Sequence, residues 1–154
     1  MVFSKFIKKI NPCVKKLSTS PCLKKRNRSK QKLYRTKLIE IYDKCPLENV
    51  NPKLCEAAHI LPYSDCKKKK DKYNPNNGIL LSCNMHKAFD SNLFTFDDKT
   101  CKLVILEENI KKIDKECNLE NFNLANLENK YIPQLDNEES KKFIKKRNEI
   151  YDLL

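Results

Sequence analysis

The chain has 154 residues, 40% hydrophobic and 34% charged, with 32 Lys and Arg against 20 Asp and Glu, a formal charge of +12. That length reads as one domain able to bury a core, and no apolar run approaches the roughly 20 residues needed to cross a bilayer. The positive excess points to a polyanionic partner, of which nucleic acid is the commonest.

In chain order, residues 1–28 carry the charge asymmetry. No Asp or Glu precedes Glu40, and basic residues fill "KKINPCVKKLSTSPCLKKRNRSK". With Pro12, Pro21 and clustered Ser and Thr, this reads as an irregular basic arm that contacts nucleic acid. The plainer reading is a solvated tail or a nuclear-import signal. "MVFSKFIKKINP" is too short and too broken by lysine for a secretory h-region. The lysine bias and the two prolines weigh against a mitochondrial presequence, although import stays open. The expected location is intracellular, in cytoplasm or nucleus.

From Ser29 onward the pattern is that of a folded domain, 29–154. Tyr34, Leu38, Ile41 and Tyr42 fall at i, i+4, i+7 and i+8, predicting an amphipathic helix over 30–43. "CPLENVNPKLCE" is a connecting loop, and 55–60 reads as a strand. A basic loop, "SDCKKKKDKYNPN", leads to a second apolar run, "GILLS", and then to helical "NMHKAFD". "NLFTFDDKTCKLVILE" predicts a hairpin turning at "DDKT". Residues 108–135 have only partial helical spacing, at Ile110, Ile113 and Cys117, then at Leu124, Leu127 and Tyr131. Phe143, Ile144, Arg147, Ile150, Tyr151 and Leu154 mark the face of a last helix capped near Asp136 or Asn137. The class is α+β.

Cys13, Cys22, Cys45, Cys55, Cys66, Cys83, Cys101 and Cys117 contain no CxxC pair, which argues against a zinc ribbon. They read mostly as buried small hydrophobes in a reducing compartment, although widely spaced cysteines can meet in space. The chain has one glycine, Gly78, and two histidines, His59 and His86. A lone histidine is more often structural than functional, but these two lie on adjacent elements of one strand–loop–strand–helix unit and could face one cleft. Gly78 suits either a positive φ or a close approach in such a tight unit.

"EAAHILPYS", "NNGILLS" and "HKAFD", in that order, resemble the HNH endonucleases of the ββα-metal class, particularly a subgroup whose motif reads like "EAAHI-P-S … NGLLL … H--FD". The resemblance covers about 30–152, strongest in a core at about 54–92, with N- and C-terminal helices flanking the ββα hairpin and helix. It implies an endonuclease that hydrolyses DNA, with nicking as an alternative mode, and with His59 as general base, Asn77 holding the loop that aims the base, and His86 as a metal ligand. The implied cofactor is a divalent cation, Mg²⁺ or Mn²⁺ first, with Zn²⁺ and Ni²⁺ as alternatives for mixed N/O ligation.

Phosphodiester hydrolysis needs an activated water, stabilisation of charge at phosphorus and help for the leaving oxygen. Many ββα-metal nucleases carry an Asp or His directly before the base; here that residue is Ala58, so another ligand is required. Asp90, four residues after His86 on one helix face, is the best candidate. Glu56 is a reserve whose offset of three from His59 places it on the opposite strand face, and Asp65 has no support. Lys67, Lys68, Lys69, Lys70 and Lys87 are candidate phosphate contacts, against the plainer reading of a solvated loop. Nothing in the chain reads bases. Double-stranded DNA is the expected substrate, with RNA as a lesser variant, no membrane contact, and a homodimer or targeting partner for double-strand breaks. The rival readings are a degenerate HNH-like module that binds without cutting and a basic nucleic-acid-binding protein without hydrolase activity.

Overall fold

The computed structural model describes residues 27–114 and 124–154. Almost all of the expected basic arm, with Cys13 and Cys22, lies outside the described residues, as does Cys117. The first helix, α1 (Arg28–Tyr42), starts where the Asn27 side chain accepts the Lys30 amide at 3.0 Å, which satisfies one unpaired donor of the first turn. Tyr34, Leu38 and Tyr42 are buried as their spacing predicts, but Ile41 is exposed. Neighbouring positions on a helix point about 100° apart, and the narrow hairpin beneath α1 covers a single stripe.

That hairpin is β1 (Cys55–His59) and β2 (Gly78–Ser82), antiparallel, with Cys55 opposite Ser82 and His59 opposite Gly78. Ser82 then caps α2 (Cys83–Asp90): its hydroxyl accepts the Met85 amide and donates to the Glu48 carboxylate. The α+β class and the ββα core with flanking helices therefore hold. All five residues of β2 are buried, since α1 and α2 both pack on the hairpin. Opposed residues point to the same side, so Gly78 and His59 both face α1.

Gly78 is extended, with φ −147° and ψ 154°, so positive φ is not the reason for glycine. Close approach is. A Cβ here would collide with the Tyr34 hydroxyl and lie 2.8 and 2.9 Å from the two Leu38 methyls. Tyr42 donates to the Gly78 carbonyl at 3.1 Å, and burial pushes its phenol up, which keeps it protonated as a donor. Gly78→Ala is expected to destabilise the fold by about 1–3 kcal/mol through overpacking. Denaturant melts of Gly78→Ala, Tyr34→Phe and the double variant check this, because relief of the collision makes the double variant less damaged than the sum of the singles.

β3 (Phe94–Phe96) and β4 (Leu103–Ile105) form the second antiparallel hairpin, turned where Asp97 accepts the amides of Lys99 and Thr100 at 3.0 and 2.6 Å. Those bonds hold the Asp97 carboxyl below its usual range. The weakly periodic tail resolves in two ways. Its first part is α3 (Glu107–Asp114), whereas the predicted helical spacing at Leu124–Tyr131 is a short 3-10 turn, Ala125–Leu127, followed by a bridge from Tyr131 to Lys102. α4 (Glu138–Tyr151) is capped by Asn137, which accepts the Ser140 amide at 2.9 Å. Phe143, Ile144 and Arg147 are buried, but Ile150, Tyr151 and Leu154 are exposed beyond the edge of the core. Cys45, Cys55, Cys66, Cys83 and Cys101 are all free thiols.

Arg147 is 2% exposed yet charged. Its guanidinium donates to the carbonyls of Ile60 at 3.1 Å and Phe89 at 2.6 Å and to Asn92 Oδ1 at 2.5 Å, and lies 3.9 Å from the centre of the Phe89 ring. It therefore ties the exit of β1 to the end of α2, where helix carbonyls lack intrahelical partners.

Candidate active site

His59, at the end of β1, is 8% exposed. Its ring stacks on Tyr34 with centroids 4.8 Å apart and meets Tyr63 edge-on at 5.8 Å. The Nε2 atom lies 2.8 Å from the Lys72 carbonyl. A carbonyl only accepts, so Nε2 carries the hydrogen and the lone pair of the neutral ring is on Nδ1.

Asn77 is fully buried and clamps the loop that follows His59. Its Oδ1 accepts the Leu61 amide at 2.7 Å, while Nδ2 donates to the carbonyls of Leu61 and Asp71, both at 3.1 Å, and to Cys66 Sγ at 3.3 Å. One side chain thus joins the residues just after His59 to the residue before Lys72, whose carbonyl holds the imidazole. The Asn77 carbonyl accepts the Tyr34 hydroxyl at 2.8 Å, and burial keeps that phenol protonated. From the far end of the chain, Ser140 donates to the Asn76 carbonyl at 2.9 Å and Glu139 accepts Asn76 Nδ2 at 2.6 Å. The last helix therefore braces the turn that carries Asn77.

His86 and Asp90 share one face of α2, with Nε2 3.5 Å from Asp90 Oδ2. His86 Nδ1 lies 2.6 Å from Glu56 Oε2. The sequence reading holds Glu56 only as a reserve ligand, because it points away from His59. That alternation stands, but α2 packs on the face to which Glu56 points, so Glu56 reaches the other histidine. Asp65 accepts the Tyr151 hydroxyl at 2.8 Å.

Two clusters result: His59 with Asn77, and His86 with Asp90 and Glu56. They take opposite faces of β1, His59 on the side of α1 and Glu56 on the side of α2. Ala58 is fully buried, so the position before His59 points into the core. Lys67, Lys68, Lys69, Lys70 and Lys87 are all exposed. An open groove of about 570 Å³ is lined by Arg28, Lys32 and Arg35 of α1 together with Glu56 and His86. The sequence reading placed Arg28 in the basic arm rather than on this helix and assigned no role to Lys32 and Arg35, although the i, i+4, i+7 spacing of the three was available as a signal.

Among the described residues no group of three or more His, Cys, Asp or Glu is arranged to hold a metal ion. His86 Nε2 and Asp90 Oδ2, 3.5 Å apart on one helix face, are a nitrogen and an oxygen of the kinds that ligate divalent ions, and these two residues are the ones that could hold a cation here. Glu56 would then orient the imidazole through Nδ1, 2.6 Å from its Oε2.

No helix among the described residues is long and apolar enough to cross a membrane. Residues 43–97 match the model of a family described as HNH endonuclease. No curated protein matches the chain. The match supports nuclease activity on nucleic acid as the kind of chemistry, and HNH nucleases typically use a divalent metal. It spans both histidines, Asn77 and Asp90, running from the end of α1 through the hairpin and α2 to β3. Between residues 43 and 97, therefore, this chain is similar to the HNH endonucleases.

Proposed function

We propose that the chain is a metal-dependent HNH endonuclease that hydrolyses DNA, residues 29–154 forming the nuclease domain and 1–28 a basic arm on the DNA backbone. The observation that carries this reading is the His86 imidazole set between Glu56 at 2.6 Å and Asp90 at 3.5 Å. His86 and Asp90 hold the cation, Mg²⁺ or Mn²⁺, since two protein donors leave room for the waters a hard ion keeps. When bound, that ion supplies charge stabilisation at the phosphate and the leaving oxygen.

His59 takes the proton of the attacking water at Nδ1, while Asn77 and the Lys72 carbonyl hold its ring. Lys67 to Lys70 and Lys87 contact flanking phosphates and position the DNA without reading it. A double-strand break needs two such sites, which a homodimer or a targeting partner supplies.

A second reading, a degenerate module that binds DNA without cutting, is favoured by the burial of His59 and by Ala58 in the core. Plasmid relaxation separates the two. The expected result is conversion of supercoiled plasmid to open circles in Mg²⁺ or Mn²⁺, abolished by EDTA and by His86→Ala. Plasmid that is bound but stays supercoiled in both ions supports the degenerate module, and nicking that persists in EDTA defeats the metal assignment.

A further inference from the structure

Arg28, Lys32 and Arg35 follow one another at four and three residues along α1, so they share one side of the helix, and that side faces the groove containing His86. The first two are exposed, and among the described residues neither has a carboxylate partner. Arg35 is held rigidly: its two terminal nitrogens donate to the carbonyls of Cys55 at 2.5 Å and Pro52 at 2.8 Å. Those acceptors are neutral, so its charge stays uncompensated at the groove wall. The one carboxylate lining the groove is Glu56, and its Oε2 is engaged by His86 at 2.6 Å. β1 pairs with β2 on one edge only, so the groove can admit an extended polymer alongside the other.

We propose that this groove seats the sugar–phosphate backbone of DNA, with Arg28 and Lys32 gripping consecutive phosphates and Arg35 adding a fixed positive wall opposite His86. Arg28 and Lys32 are separated by about 6 Å of helix rise, so they reach different phosphates rather than competing for one. The proposal rests on the nuclease reading and extends it by naming a binding surface on α1, where the sequence reading had counted only Arg28, as the end of the basic arm. The surface joins one wall of the cleft to the other, so the backbone it holds passes His86.

The test is binding of a fluorescein-labelled DNA duplex in EDTA over a series of KCl concentrations, followed by anisotropy. Three proteins are compared: wild type, Arg28→Ala/Lys32→Ala, and Lys142→Ala/Lys145→Ala, which removes the same charge from exposed positions on α4. Loss of two phosphate contacts lowers the slope of log K against log salt by about 1.8, and affinity at low salt falls roughly tenfold or more. The α4 variant keeps the wild-type slope. If both doubles weaken binding equally, or the α1 double binds as wild type does, the groove is not the backbone site. An RNA duplex bound more tightly than DNA, with the same dependence on Arg28 and Lys32, overturns the choice of DNA. Because no metal is present, the assay reads the surface even if wild-type protein never nicks plasmid, and that result alone removes the nuclease reading.

Discussion

Exchanging His59 for glutamine lowers the plasmid nicking rate by about 10²–10⁴-fold, the contribution of a general base, while DNA affinity changes little. Glutamine is the informative substitution because its amide can still donate to the Lys72 carbonyl that the imidazole meets at 2.8 Å. It also occupies the space beside Tyr34 and Tyr63, so what disappears is the basic lone pair at Nδ1. Alanine is harsher, since it empties a site where ring stacks on ring at 4.8 Å and mixes lost packing with lost chemistry. Nicking time courses in Mn²⁺, with thermal melts alongside, separate these effects. A glutamine variant that nicks as fast as wild type would show His59 to be a core residue whose neighbours merely hold the loop.

The largest loss of stability is expected at Arg147. Arg147→Ala removes the donor from two backbone carbonyls and from Asn92, and acceptors stranded in the core make the loss about 3–5 kcal/mol. Against a whole-domain stability of about 5–15 kcal/mol that is a large fraction. Arg147→Met refills the volume but leaves the same acceptors unpaired, so it falls between alanine and wild type. Burial pulls the guanidinium down from its usual range to about 10, so at neutral pH it is charged and its desolvation opposes folding. That opposition is present in full below about 10 and is relieved as pH rises above it. Urea unfolding of the three proteins at neutral pH is the check. An alanine variant as stable as wild type would mean that solvent reaches the Ile60 and Phe89 carbonyls.

Both residues show what could be read from the chain and what could not. Helix and strand positions around the core follow from periodicity and caps: α1, both strands of the first hairpin, α2, and the start of α4 at Asn137 all fall within a few residues of their predicted places. The His86–Asp90 pairing was legible because four residues on a helix is a local rule. Glu56 stands only as a reserve in the sequence because a correct local rule is applied there to the wrong partner. Alternation says which face a strand residue takes, and only packing says which helix covers that face. The aromatic setting of His59 was illegible for the same reason. Tyr34, Tyr63 and Tyr73 come from a helix and a loop, and the ring distances that gather them are tertiary. Gly78 was read as needed for backbone freedom or proximity, and the Tyr34 and Leu38 side chains show that proximity is the cause.

The Asn77–Gly78 step has a chemical consequence. In an unfolded chain an asparagine followed by glycine is the pair most prone to lose its side-chain nitrogen, because the glycine amide attacks with nothing in its way. Folding commits the Asn77 amide to Leu61, Cys66 and Asp71. A carboxylate at this position would set oxygen against the Leu61 and Asp71 carbonyls, where no hydrogen remains to share, so a molecule that ages at Asn77 before folding cannot close the 61–71 loop. The shelf life of the unfolded polypeptide is thereby written into the same side chain that completes the folded one.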